Sequence, residues 1–389
     1  LNILFNFGCK LNQYEGFCLL KKFATSDNFI VVNTCCVTKE AEIKSLRKLK
    51  QLIRRHPRSR IIVAGCACTL YPEKFSQAHK VINNNARNLL IKGIFPTPEK
   101  ARYFLKIQDG CNEFCTYCVV PYVRKRLESK PLLEIIREIE WAKSLNFQEI
   151  VLVGANIGLY GVDNGSSLFD LLKMLRNIPD LPRIRLSSIE PKFINPELIY
   201  SLKDLPFCRH FHIPIQSANN KVLLLMRRNY DASHLERSIA LIQENFSDVA
   251  IGADVIVGFP FENEKEFFYT YKFIQHNPFT HLHVFPYSPR TNTIAYKYGD
   301  PVSYQEKKYR LRLLREMIQE KNYRFRKGLV GKRLNIIVEK NNSNTSGLTD
   351  NYIRVKVIEK CKERRLVAIK INEVTRDATF GSIDTIKNG

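Results

Sequence analysis

Gln108-Asp-Gly-Cys-Asn-Glu-Phe-Cys-Thr-Tyr-Cys-Val-Val-Pro-Tyr122 places Cys111, Cys115 and Cys118 at C-x3-C-x2-C spacing, just after the apolar stretch 103–107. Cysteine thiolates suit iron–sulfur clusters and zinc above other metals. A structural zinc usually takes four ligands, and no fourth Cys or His follows at finger spacing. A three-Cys zinc loop and spare reduced thiols are the competing readings. Three thiolates on one loop can hold three irons of a [4Fe–4S] cubane, which leaves the fourth iron open to a small molecule.

Upstream, one pattern occurs three times. Leu1-Asn-Ile-Leu-Phe-Asn-Phe-Gly-Cys9, Phe29-Ile-Val-Val-Asn-Thr-Cys35 and Ile61-Ile-Val-Ala-Gly-Cys66 are apolar runs that each end in a cysteine. Helical patterns lie between them, notably over 39–55. Strands alternating with helices predict a small parallel sheet. Ligands gather beyond the carboxyl ends of such strands. Cys9, Cys35 and Cys66 are therefore expected to converge and hold a second cluster. Cys18, Cys36 and Cys68 compete for these places, and buried cysteines serving as small hydrophobes are the plainer alternative.

Pro96-Thr-Pro98 reads as a linker. Beyond it, strands are expected at 103–107, 149–153, 183–186, 210–215, 249–257 and 281–285, with helices between them, including one over 132–145. About six βα units predict a complete or partial parallel barrel with its site at the C-terminal strand ends. Gly154, Asn156, Ser187, Ser188, Glu190, Gln216, Ser217 and the run Gly258-Phe-Pro260 fall at those ends, and Asp254 lies inside a strand. A basic helix over 303–327 closes this region. Strands over 333–338, 352–357 and 366–371 then predict a small β-barrel, with 341–350 as a polar hairpin loop. Tyr352 and Arg354 on it could stack on RNA bases and pair with phosphates. The fold class is thus α/β, with a small parallel α/β unit over 1–97, a (β/α) barrel over 98–327 and a small β-barrel over 328–389.

The chain of 389 residues carries 61 Lys and Arg against 38 Asp and Glu, a net charge of +23. That excess favours nucleic acid or an anionic surface. Hydrophobic residues make up 44%, as in globular proteins. No apolar run approaches the roughly 18 residues of a membrane span. Eleven cysteines in so long a chain without a secretory signal point to a reducing cytoplasm. The chain enters a strand directly at Leu1, so a few preceding residues are expected.

Together these motifs resemble the radical S-adenosylmethionine (SAM) methylthiotransferase family over essentially the whole chain. Gly8-Cys-Lys-Leu-Asn-Gln-Tyr-Glu15, Lys106-Ile-Gln-Asp-Gly-Cys111 and His283-Val-Phe-Pro-Tyr-Ser-Pro-Arg290 are most similar to the branch acting on tRNA N6-threonylcarbamoyladenosine. The resemblance implies two [4Fe–4S] clusters and SAM as cofactors. Cys111, Cys115 and Cys118 would hold the cluster that chelates SAM, and Cys9, Cys35 and Cys66 the auxiliary one. Gly154, Asn156, Glu190, Gln216 and Asp254 would face SAM. A 5′-deoxyadenosyl radical would attack C2 of adenosine 37, and sulfur would come from the auxiliary cluster. The 328–389 unit corresponds to a TRAM domain gripping the tRNA anticodon stem-loop. Flavodoxin or ferredoxin would donate electrons to a cytoplasmic monomer. Alternatives are methylthiolation of N6-isopentenyladenosine or of a ribosomal protein, and a noncatalytic iron–sulfur RNA-binding scaffold.

The chain departs from the family pattern at three glycines. Lys125, Ala218 and Phe261 stand where Arg-Gly, Gln-Ser-Gly and Gly-Phe-Pro-Gly-Glu are usual, and Ala67 replaces a Tyr after Cys66. Side chains at positions needing positive φ would strain the backbone.

Overall fold

The computed structural model describes residues 2–24, 28–341 and 345–384. Its first sheet is parallel, in the order β1 (Asn2–Asn6), β2 (Phe29–Thr34), β3 (Arg60–Gly65), β4 (Lys80–Ile82). Fully buried β2, with Ile30, Val31 and Val32, reads as a continuous apolar run because both its faces are covered. On one face Leu11, Leu19, Phe29 and Val31 pack with Phe104, Val151 and Val153 of the next unit. On the other, Ile30, Val32 and Val63 pack beneath helix Lys39–Arg55 through Leu49 and Leu52.

Three parallel strands follow, β5 (Tyr103–Lys106), β8 (Glu149–Val153) and β9 (Arg183–Leu186); between the first two in sequence lies a short antiparallel pair, β6 (Gln108–Asp109) and β7 (Glu128–Ser129). A further parallel set is β10 (His210–Gln216), β11 (Ala250–Val257) and β12 (Phe279–Pro286). Single bridges Ile184–Phe207 and Ser188–His212 join the two sets into one six-stranded series. Alternate residues, among them Ile150, Leu152, Ile184, Leu186, Phe211, Ile213, Ile251 and Ala253, point to the enclosing helices and form the largest core. The intervening positions of β8–β12 carry Glu149, Arg183, Arg185, His210, His212, Asp254, His281 and His283 on the opposite, inner face.

Helix Tyr304–Lys327 leads into a closed barrel in the order β13 (Arg333–Asn341), β14 (Thr345–Thr349), β15 (Arg354–Val357), β17 (Thr379–Ile383), β16 (Leu366–Val374). The expected loop over 341–350 is therefore largely strand, and residues 342–344 lie outside the described part. Thr345, Thr349 and Asn351 are buried there, so a polar run builds an interior strand edge. Arg183 donates to the carbonyls of Asn335 and Leu348, and Arg185 to those of Thr349 and Asp350, at 2.8–3.0 Å. Glu149, fully buried, holds both guanidiniums. Among the described residues no helix is long and apolar enough to cross a membrane.

Candidate iron–sulfur and SAM site

Two loops after parallel strands bring the N-terminal cysteines together. Gly8 and Gly65, at φ +95° and +101°, turn the chain sharply before Cys9 and Cys66. A Cβ on Gly65 would lie 2.5 Å from the Thr34 carbonyl oxygen, and one on Gly8 2.9 Å from Cys35 Sγ, so both turns need glycine. Asn12 fixes the ends of β1 and β2 relative to each other: its Nδ2 donates to the carbonyls of Phe7 at 2.6 Å and Thr34 at 3.2 Å. Cys9, Cys35 and Cys66 lie within electrostatic reach of one another. Burial, with Cys66 and Cys9 nearby, pushes the Cys35 thiol up to about 12. Cys36 donates to Cys66, which lowers the Cys66 thiol, assisted by Arg124 and Arg87. The competing cysteines are otherwise engaged. Cys18 donates to the Ile94 carbonyl and Cys68 to those of Gly65 and Ile82. Cys9 caps the N-terminus of helix Lys10–Lys22, which carries no acidic residue in its first turn, so the helix dipole favours negative charge there.

The second triad rides the loop after β6. Gln108 ties that loop to the end of β8: its Nε2 donates to the Asp109 and Gly110 carbonyls at 2.7 Å, and its Oε1 accepts the Asn156 N–H at 2.9 Å. Burial raises the Cys111 thiol to about 11 and, with Cys115 and Cys111 beside it, the Cys118 thiol to about 12. Cys115 is also raised by burial, against the pull of Arg228, whose Nη1 donates to its sulfur at 3.0 Å. Burying several thiolates side by side is costly without a compensating positive centre. A cluster supplies one, and the thiol-only donor set fits it. No three of these sulfurs all lie within 4.8 Å of one another, so neither triad forms the tight cradle of a single ion.

The expected SAM-facing residues divide. Gly154 closes on Gln108, where a Cβ would come within 2.9 Å of Oε1. Asn156 is buried with both side-chain amide atoms lacking a partner, as suits a residue awaiting a polar ligand. Gln216, buried at the end of β10, holds φ +62°, a strained conformation of the kind that collects at functional sites. Glu190 is committed to Arg228 at 3.0 Å. Asp254 sits mid-strand, accepting from His212 at 2.8 Å and His283 at 3.1 Å. Tyr352 departs from the expected RNA platform. Its ring stacks on His210, with centroids 4.1 Å apart, and near His281 and Arg185, so it closes the inner face of the strand series. Arg354 is exposed and paired with Glu339.

Sequence reading missed the buried network joining the two triads. Glu15, six residues after Cys9, bonds Arg87 at 2.7 Å, Lys106 at 2.9 Å and Arg124 at 2.7 Å. Arg124, six residues after Cys118, also reaches Asp109 at 2.7 Å. Tyr14 and Tyr103 both donate to Glu138. The motif Gly8–Glu15 held the signal, since an invading acid in an otherwise apolar helix face demands buried cations.

Of the three replaced glycines, only Phe261 has positive φ, at +71°; Lys125 and Ala218 carry no such strain. Phe261→Gly is expected to raise stability by about 1 kcal/mol from relief of left-handed strain, less what its edge contact with Tyr298 contributes. A thermal melt unchanged or lowered in the variant would show that the contact outweighs the strain.

The Radical SAM superfamily profile matches residues 105–274, and that of the Uncharacterized protein family UPF0004 matches residues 3–85. A threonylcarbamoyladenosine tRNA methylthiotransferase MtaB of Aquifex aeolicus is 33% identical, covering 90% of this chain and 94% of the relative. The MtaB of Thermotoga maritima is 34% identical over 86% and 85%. A tRNA-2-methylthio-N(6)-dimethylallyladenosine synthase of Thermodesulfovibrio yellowstonii is 32% identical over 97% of each. In fold, the chain is similar to the radical SAM methyltransferase TsrM of Kitasatospora setae, with a TM-score of 0.53 at 14% identity over 71% of this chain and 66% of that one. A radical SAM enzyme is the class these features define. The chain belongs to the radical SAM tRNA methylthiotransferase family. As such it uses SAM and two [4Fe–4S] clusters.

Proposed function

We propose that this chain methylthiolates C2 of N6-threonylcarbamoyladenosine at position 37 of tRNA. Cys111, Cys115 and Cys118 hold the SAM-binding cluster, and Cys9, Cys35 and Cys66 the auxiliary cluster. When bound, the clusters would supply the electron and the sulfur, one SAM the radical and a second SAM the methyl group. The chain's own residues bind, orient and shield: Asn156, Gly154 and Gln216 line the SAM side, and Tyr352 closes the inner face against water. In this reading residues 1–97, 98–327 and 328–389 are three domains, carrying the auxiliary cluster, the SAM chemistry and the grip on the anticodon stem-loop. The net charge of +23 supports an RNA substrate. The protein acts in the cytoplasm as a monomer, with flavodoxin or ferredoxin as donor.

The observation carrying the choice of substrate is the charge near Cys9. Burial, with Arg102 and Arg185 nearby, lowers the Lys10 ammonium, which has no ion pair or side-chain hydrogen bond among the described residues and also lies within electrostatic reach of Tyr352. Its charge also bears on His210 and His281, which burial keeps neutral. A threonylcarbamoyl group ends in a carboxylate that would answer this cation; an isopentenyl group has none. The test supplies the reconstituted enzyme with anticodon stem-loops bearing either nucleoside and analyses the products by mass spectrometry. The 2-methylthio product is expected from the threonylcarbamoyl substrate alone. Modification of the isopentenyl substrate instead, or of neither RNA by an enzyme that cleaves SAM, would overturn the assignment.

A further inference from the structure

Behind the cysteine loop lies a buried charge pair that the proposed chemistry does not yet employ. The short helix Asn220–Leu225 is C-capped by Met226, and the next residue, Arg227, has a φ of +55° that turns the chain before Arg228. The Arg228 side chain is 4% exposed, and its three nitrogens point to three different groups. Nε donates to the Tyr230 hydroxyl at 2.8 Å. Nη1 donates to Cys115 Sγ at 3.0 Å. Nη2 faces Glu190 Oε1 at 3.0 Å. Tyr230 in turn donates to the carbonyls of Pro214 and Ile215, which anchors the guanidinium from behind. Glu190 lies 3.9 Å from Lys192, and Lys192 pairs with Glu113 of the cysteine loop itself.

A guanidinium that serves structure alone would turn its hydrogen bonds to Glu190 and Tyr230, yet Nη2 meets Glu190 only as an ion pair. This one spends a donor on a sulfur. Cluster potentials respond to hydrogen bonds on the ligand sulfurs, to local net charge and to burial. Adding one electron to a cluster makes it more negative by one charge, and a cation hydrogen-bonded to its ligand stabilises that reduced form. An adjacent carboxylate offsets the cation and opposes it. We infer that Arg228 and Glu190 are an opposed pair that sets the reduction potential of the cluster on the Cys111 loop, Arg228 raising it and Glu190 lowering it. The reductant is the one-electron donor the family reaction already requires. Glu190 thereby acts through Arg228 on the cluster, a role separate from the SAM contact expected from sequence. This inference rests on Cys115 being a cluster ligand.

The test is a potentiometric titration of the full-length reconstituted protein with dithionite or Ti(III) citrate. It follows the EPR signal that changes when SAM is added. Arg228→Gln should lower the midpoint, on the order of tenfold in the reduction equilibrium, or about 59 mV for one electron. Glu190→Gln should raise it by a similar factor, and Arg228→Lys should fall between wild type and Arg228→Gln. Shifts of the same sign, or none in iron-loaded variants, would overturn the inference, because loosened packing cannot move the potential in opposite directions. If Arg228→Gln fails to load iron, Glu190→Gln decides alone, and a midpoint unmoved or lowered is fatal. A Cys115→Ala protein that keeps the SAM-responsive signal would instead refute the ligand assignment beneath it.

Discussion

Replacing Cys111, Cys115 or Cys118 with Ala is expected to abolish 5′-deoxyadenosine formation from SAM, whereas replacing Cys9, Cys35 or Cys66 should leave that cleavage intact and stop formation of the 2-methylthio product. The division follows from how the triads are held. The first rides one loop, fixed by Gln108 to the end of β8 and by Thr116 to the Leu225 and Met226 carbonyls. The second sits beyond three strands of a separate sheet, set by the turns at Gly8 and Gly65. Among the described residues, no hydrogen bond of one triad's support is made by the other's cysteines, so removing a thiol should empty one site and spare its neighbour. Each loss should exceed the roughly 10–100-fold that follows removal of a group merely supporting a ligand. Product mass spectrometry beside iron analysis and circular dichroism gives the readout. Lost cleavage in a folded Cys9, Cys35 or Cys66 variant would contradict the separation.

The barrel strands were legible to within a few residues: 149–153 is a nearly continuous apolar run that coincides with β8, and 183–186, where Ile184 and Leu186 alternate with arginines, coincides with β9. The places of Cys9, Cys35 and Cys66 just past β1, β2 and β3 were legible because apolar runs mark those strands. Strand β14 was not, since Thr-Ser-Gly-Leu-Thr is composed like a loop and is decided by barrel closure. The three-residue β4 and the terminal β17 carried too little pattern. Tyr352 reads as an exposed aromatic on a small barrel until that barrel docks on the strand series and gives its ring to His210. Arg228 was silent because its meaning lies in Cys115, 113 positions away. Asp254 was rightly sited on its strand, but its two histidine partners come from β10 and β12, a pairing only the register of the sheet creates.

Glu15→Gln should cost about 3–5 kcal/mol, the usual penalty for removing one partner from a buried ionic network. Glu15 is fully buried and holds Arg87, Arg124 and Lys106; without it, Arg124 and Lys106 share Asp109 and Arg87 keeps only the Asn12 side-chain oxygen. Burial alone would raise the Glu15 carboxyl, but Arg124, Arg87 and Lys106 outweigh it and hold it at about 2. Asp109 is likewise held well below its ordinary value, burial being overcome by Arg124 and Lys106. The sign of the pH dependence follows. A depressed carboxyl contributes stability that is complete above its unfolded value near 4.5 and is lost as pH falls toward about 2. Wild type should therefore lose stability steeply over that window, and Glu15→Gln should start lower and fall less. Equilibrium unfolding from pH 7 to the acid limit measures both; parallel curves would mean that Glu15 is not the titrating group. The double variant Glu15→Met, Arg87→Met removes an acid and a base together and leaves Arg124 and Lys106 with Asp109, so it should recover much of the loss. The same network ties the segments that carry the two triads, because Glu15, six residues beyond Cys9, pairs with Arg124, six residues beyond Cys118. Glu15→Gln should thus also lower methylthio product more than SAM cleavage, since cleavage needs only one cysteine loop while sulfur transfer needs both triads in register.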